Sequence, residues 1–344
     1  MAFEKKKTSQ DIYAEIVKTI KAKEIKPIYF LQGEEVFFID KITDLLEQSI
    51  LEESEKDFNQ SILYGSEIKA GELLSVLNRF PLMAEKQVVI LKEAQKCTDL
   101  EKLESYFKSP LDSTVFIVNY KGKKLDGRKA FAQTMNKSGF LFTFDHLQEY
   151  QLVPWIESYV NKEGFKIDLN SSQMLSDYLG NDLSKIANEL DKLSINVAKG
   201  STITPAIIEK FIGISKEFNV LELNNSLGKK DVLKANQIIN YFKQNPKAYP
   251  LVLTIGMLFN YFSKLLIIHH LQRKGSERTE IAKAISLPEF VLREYEAAAR
   301  NYPYPKTIQV ISFLREYDLK SKGVNSAGID DSELLKELIF KILH

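Results

Sequence analysis

Between residues 11 and 144 the apolar positions follow two alternating rhythms. Ile12, Ile16, Val17 and Ile20 recur at helical spacing over Asp11–Lys23, and the same period runs through Val36–Leu51, Glu67–Phe80, Leu100–Phe107 and Arg128–Asn136. Between these segments stand short runs that are apolar on successive residues: Pro27–Leu31, Ser61–Gly65, Gln87–Leu91, Thr114–Val118 and Phe140–Phe144. Such runs suit strands buried on both faces. Strands alternating with helices predict a parallel sheet covered on both sides.

After Phe144 the rhythm changes. No strand is expected from Gln148 to about Gly213. Helices are predicted at Val153–Lys162, which holds Trp155 and is ended by Gly164, at Gln173–Leu179 with Ser171 or Ser172 as cap, and at Leu183–Ser194 with Asp182 as cap. Another opens at Ala206–Ile212 behind Thr204-Pro205. From Ser215 the pattern is helical throughout: Phe218–Leu227, Val232–Lys243, Tyr249–Gln272, Glu277–Ile285, Glu289–Ala299, Lys306–Lys322 and Ser332–Leu343. Leu251–Ile268 is the longest apolar run. Asn260, Ser263 and Lys264 inside it are costly in lipid, so it reads as a buried helix and not a membrane span. The fold class expected is α/β plus all-α, in three domains: 1–146, 147–213 and 214–344.

Composition changes this picture little. The net charge of +1 favours neither nucleic acid nor an acidic partner for the molecule as a whole, so a nucleic-acid contact needs a local patch. Cys97 is the single cysteine, which rules out an intrachain disulfide and fits a reducing cytoplasm. Met1–Gln10 carries Lys5-Lys6-Lys7 with no apolar stretch behind it, unlike a signal peptide.

In a parallel sheet of this kind the natural phosphate site is the turn after the first strand. A phosphate cradle needs several glycines, a lysine and a hydroxyl for magnesium. Gln32-Gly33-Glu34-Glu35 has one glycine, no lysine and two carboxylates that repel a triphosphate. The third strand ends Leu91-Lys92-Glu93, without the aspartate that would hold magnesium. The pattern is that of an ATPase without its chemistry. Adjacent His269 and His270 point about 100° apart on a helix and cannot share a metal. No serine or cysteine nucleophile stands in a recognisable motif. Glu34 with Glu35, and Asp330 with Asp331, suit helix starts better than catalysis. No catalytic residue, cofactor or metal is therefore expected. Lys121, Lys123, Lys124, Arg128 and Lys129 form the densest basic cluster, beyond the fourth strand, and are candidates for DNA contact. Asn119, directly after that strand, has nothing to sense without a phosphate loop.

Phe80, Pro81, Leu82 and Met83 occupy the connection before the third strand, where Pro81 is expected to end the helix. Read by themselves they either close the core or offer a small apolar anchor to another protein.

Several segments in order carry a resemblance. Pro27–Glu35 resembles an opening strand and turn that lack a phosphate loop, and Lys124-Leu125-Asp126-Gly127-Arg128-Lys129 resembles a segment after the fourth strand. Trp155 with Gly164, Gly180-Asn181-Asp182-Leu183 with Asn188–Leu193, and Phe218–Leu227 continue the likeness through a lid and into a collar. The family is the delta subunit of bacterial DNA polymerase III, in the clamp-loader branch of the AAA+ superfamily. The resemblance implies an AAA+-like domain without a phosphate loop, a small helical lid and a helical collar. It implies a subunit of a DNA polymerase holoenzyme that binds and opens the sliding clamp (the beta subunit) without hydrolysing ATP. Its other implied partners are the ATP-binding motor subunits and delta-prime, met through the collar, and primer-template DNA, with no membrane. The implied clamp-binding residues are Phe80, Pro81, Leu82 and Met83. Methionine stands at 83 where phenylalanine is common, and proline at 81 where a small polar residue is usual. Two other classes remain open on the residues alone: an NTPase with an atypical phosphate site, and a nucleic-acid-binding protein using Lys121–Lys129.

Overall fold

The computed structural model describes residues 7–213, 218–287, 289–325 and 328–344. The expectations for Met1–Lys6 and for Ser215–Glu217 lie outside these residues. The chain forms two compact units, 1–147 and 148–344.

The first unit is a five-stranded, wholly parallel sheet with helices on both faces. Its elements run α1 (Ser9–Lys21), β1 (Ile28–Gly33), α2 (Val36–Ser49), α3 (Glu53–Asn59), β2 (Gln60–Tyr64), α4 (Ala70–Leu77), β3 (Gln87–Lys92), α5 (Glu104–Lys108), β4 (Thr114–Lys121), α6 (Ala130–Ser138) and β5 (Leu141–Phe144). The strand order is β2-β3-β4-β1-β5, with Phe30 opposite Val118 and Leu141, and Ile90 opposite Ile117. The runs apolar on successive residues are the central strands: Ile28–Leu31, Val88–Leu91 and Val115–Val118 are all fully buried. On one face Ile28, Phe30, Val89, Leu91, Phe116 and Val118 pack with Leu73, Leu77, Phe107, Phe131 and Met135. Helices α1 and α2 cover the other.

Four local expectations are corrected, the fourth at the cap expected of Ser171 or Ser172. α4 stops at Leu77, before Pro81 is reached: its last carbonyls are met from outside the helix, with Thr114 Oγ1 donating to the Leu77 oxygen at 3.1 Å and the Arg79 N–H donating to the Val76 oxygen at 3.2 Å. α3 was not foreseen. Phe58 is its one large apolar residue and points to solvent, so no hydrophobic period marks it. In the second unit a minimal sheet exists where none was expected: β6 (Lys166–Ile167) pairs in parallel with β7 (Thr202–Ile203). Two residues per strand leave no readable alternation.

The second unit continues with α7 (Glu149–Lys162), α8 (Leu169–Leu179), α9 (Leu183–Asn196), α10 (Pro205–Ile212), α11 (Val220–Gly228), α12 (Val232–Gln244), α13 (Leu251–Arg273), α14 (Arg278–Ala284), α15 (Glu289–Asn301), α16 (Tyr304–Ser321) and α17 (Asp331–Leu343). Asp182 caps α9 as expected, its carboxylate accepting from the Lys185 N–H at 3.0 Å. α8 starts earlier than expected. Asp168 is its cap, accepting from the Ser171 N–H at 2.8 Å, and Ser171 and Ser172 are buried within the helix. α13 is long and apolar enough to cross a membrane, yet Leu258, Phe262, Leu265 and Ile268 lie in the core of this unit with residues of α11, α12, α16 and α17. Its Lys264 is buried and donates to Glu149 on α7 at 2.9 Å.

Candidate functional site

Residues 78–86 join α4 to β3 at the end of the sheet where the strands begin. Here the fold treats side chains and backbone differently. Phe80 is 83% exposed, Leu82 57% and Met83 97%, with Pro81 half-buried between them. The backbone is tied down at two points, and a flanking side chain makes a third contact. Gln87, buried at the start of β3, donates through Nε2 to the Arg79 oxygen at 2.7 Å and to Thr114 Oγ1 at 2.8 Å. Asn59, buried at the end of α3, accepts from the Leu82 N–H at 2.6 Å and donates to the Leu82 oxygen at 2.9 Å. Lys86 Nζ donates to the Asp112 oxygen at 3.0 Å. Met83 itself has φ +54°, a left-handed conformation uncommon for a residue with a Cβ. Three large apolar side chains are thus held in water on a fixed backbone.

The turn after β1 lies at the other end of the sheet. Gly33 has φ +130°, and a Cβ there would stand 2.0 Å from the Phe144 oxygen, so this backbone approach admits only glycine. Its N–H donates to the Lys123 oxygen and its oxygen accepts from the Gly122 N–H. Glu35 is buried and caps α2: Oε1 accepts from the Phe37 N–H at 3.3 Å, and Oε2 lies 3.2 Å from His146 Nδ1. A helix N-terminus is where a phosphate would be drawn. In this chain that position holds an internal carboxylate, and β5 backbone closes the space over Gly33. Asn119 is buried and accepts through Oδ1 from Thr43 Oγ1 at 2.9 Å.

The basic cluster sits on this same rim, and most of its charge is matched. Lys121 pairs with Asp40 at 2.5 Å, Lys124 with Asp145 at 2.5 Å, Arg128 with Asp126 at 2.8 Å and Lys129 with Glu101 at 2.6 Å. The Asp145 and Glu101 carboxylates hold the Lys124 and Lys129 ammonium groups above their usual range. Lys123 is exposed and meets the turn through its backbone. Tip and cluster therefore occupy opposite ends of the sheet and do not form one site. Elsewhere His269 lies 2.8 Å from the Tyr302 oxygen, a structural contact. Among the described residues no group of three or more His, Cys, Asp or Glu stands ready for a metal.

Sequence reasoning missed Asn59 and Phe58, the latter 73% exposed beside it. No signal pairs Asn59 with a residue 23 positions away.

The family profile described as DNA polymerase III, delta subunit, matches residues 29–145, and that of the delta subunit's C-terminal domain matches residues 217–342. Together they take in more than half of the chain. The chain belongs to the DNA polymerase III delta-subunit family. The first matched region of this delta-family chain contains the tip, the turn and the basic cluster. A curated relative, DNA polymerase III subunit delta of Bacillus subtilis (strain 168), is 25% identical over 335 residues, 94% of each chain. The solved structure of the Bacillus subtilis DNA clamp loader delta protein shares the fold, with a TM-score of 0.58 at 22% identity over 96% of this chain and 99% of that one. The α/β unit is a parallel-sheet domain whose first turn lacks the phosphate-loop motif, and a helical C-terminal region follows it, as the sequence led one to expect.

Proposed function

We propose that this delta-family chain works within a clamp-loader assembly as the subunit that binds the sliding clamp and holds it open for loading onto primed DNA, while other subunits hydrolyse the ATP. The observation that carries the reading is the tip. Burying Phe80, Leu82 and Met83 in a partner's pocket releases apolar surface from water, and a backbone already ordered lowers the cost of binding. A ligand that prefers the open clamp shifts the clamp's population toward opening. The Glu35 carboxylate at the start of α2 supports a chain that leaves ATP to its partners. Within 148–344, residues up to 213 serve as the lid and those from 214 as the collar that joins motor subunits and delta-prime. Lys123, with its paired neighbours Lys121, Lys124, Arg128 and Lys129, is the rim that primer-template DNA would pass. The chain acts in the cytoplasm on this reading.

Titration calorimetry of the chain into the sliding clamp of the same cell tests it. The double variant Leu82→Ala with Met83→Ala is expected to lose binding by about 100-fold or more with its circular dichroism unchanged. Wild-type affinity in that variant would overturn the site. Equilibrium dialysis with labelled ATP and magnesium is expected to show no retention, and tight magnesium-dependent binding would overturn the non-catalytic role.

A further inference from the structure

We propose that Asn59 is the positioning residue of the clamp-binding tip, an inference that rests on the reading of Leu82 and Met83 given above. Its carboxamide does for Leu82 what a neighbouring strand would do. Oδ1 accepts from the Leu82 N–H at 2.6 Å, and Nδ2 donates to the Leu82 oxygen at 2.9 Å. The second Nδ2 hydrogen goes to the Glu55 oxygen at 3.1 Å, one turn back in α3. Every strong hydrogen-bonding position of the side chain except one lone pair is used, and the residue is 4% exposed. A buried amide satisfied in this way resists rotation, since any other rotamer strands polar atoms.

The tie falls at the point where the tip most needs it. On one side is the half-buried Pro81, and on the other is Met83, whose φ of +54° persists only where the surroundings enforce it. The neighbouring anchors reach Arg79 and Lys86, leaving 80–85 with Asn59 as their side-chain anchor among the hydrogen bonds described above. Without it, Leu82 and Met83 keep their chemistry but lose their place. They would then have to be ordered when the clamp binds, at the expense of affinity. Asn59 touches no clamp on this account. It acts through Leu82.

The test uses the full chain and its sliding clamp, with two readouts: amide hydrogen exchange at Leu82 and calorimetric affinity. In the wild type the Leu82 N–H is expected to exchange slowly although its side chain is exposed. Asn59→Ala is expected to speed that exchange and lower affinity about tenfold, as the loss of two hydrogen bonds implies, while protection in β2 and β3 is retained. Asn59→Asp keeps the volume and the acceptor but sets a charge against the Leu82 oxygen, and is expected to act in the same direction, so a poorly folding alanine variant does not end the test. Leu82→Ala is the reference. Weakened binding in Leu82→Ala with wild-type affinity in both Asn59 variants would overturn the positioning role alone. Wild-type affinity in Leu82→Ala would overturn the tip itself, and the positioning role with it. Weaker binding by the Asn59 variants with Leu82 exchange unchanged would show a merely structural effect and also overturn it.

Discussion

Replacing Glu35 with alanine probes the difference between this fold and a nucleotide-binding one. The carboxylate caps α2 and sits against His146 in a buried turn. Loss of a side-chain cap costs about 1 kcal/mol. Loss of a negative charge from the positive end of a helix, partly shielded from water, costs about 1 kcal/mol more. The α/β unit should therefore lose about 2 kcal/mol, which at roughly 4 °C per kcal/mol for a unit of this size lowers its melting temperature by about 8 °C. Trp155, the only tryptophan, lies in the second unit, so its fluorescence reports on 148–344 and serves as an internal control. Hydrogen exchange of the β1 and β4 amides follows the first unit. The vacated helix start should then attract an anion. If it binds phosphate at about 10 mM, 100 mM phosphate would return about 1.4 kcal/mol to the variant and little to the wild type, against chloride of equal ionic strength. A Glu35→Ala chain as stable as the wild type, or one that phosphate stabilises no more than the wild type, would refute the idea that Glu35 stands in for a bound anion.

Met83 is almost wholly exposed and Leu82 only a little over half, so Met83 has more surface left to bury. Met83→Ala should weaken clamp binding by about 2 kcal/mol and Leu82→Ala by about 1, and calorimetry with the single variants checks the order. Asp177 is raised to about 6, first by burial, while Gln173 and Lys264 favour its charge and Glu149 opposes it. Its native form therefore holds a proton more tightly than the unfolded chain does, and its contribution makes the protein more stable as pH falls from about 7 toward 4. Asp177→Asn should remove that slope and stabilise the chain at pH 7 by on the order of 2 kcal/mol, read from urea midpoints across pH. Gly33→Ala should destabilise the α/β unit by roughly 3 kcal/mol or more, because the Phe144 backbone it strikes belongs to a sheet strand and cannot move aside; urea unfolding measures it.

Runs such as Val88–Leu91 and Val115–Val118 told of a parallel sheet because burial on both faces leaves no polar alternation. The missing phosphate loop was equally plain at Gln32–Glu35, since its requirements are local in the chain. Asp182 was legible as a cap for the same reason, bonding within three residues. The tip was visible as apolar residues in a connection, though exposure alone could not be read from their identity.

The residues themselves determined which elements form, in what order, and which turn lacks phosphate chemistry, because propensity, period and motif act over a few positions. Only the tertiary structure decided what holds the candidate site. Asn59 meets Leu82, Glu35 meets His146, and Lys124 meets Asp145 because the strand order β2-β3-β4-β1-β5 brings them together. Short-range pattern is blind to such pairings: a hydrogen bond or ion pair depends on atoms a few ångströms apart in space, whatever number of residues separates them along the chain.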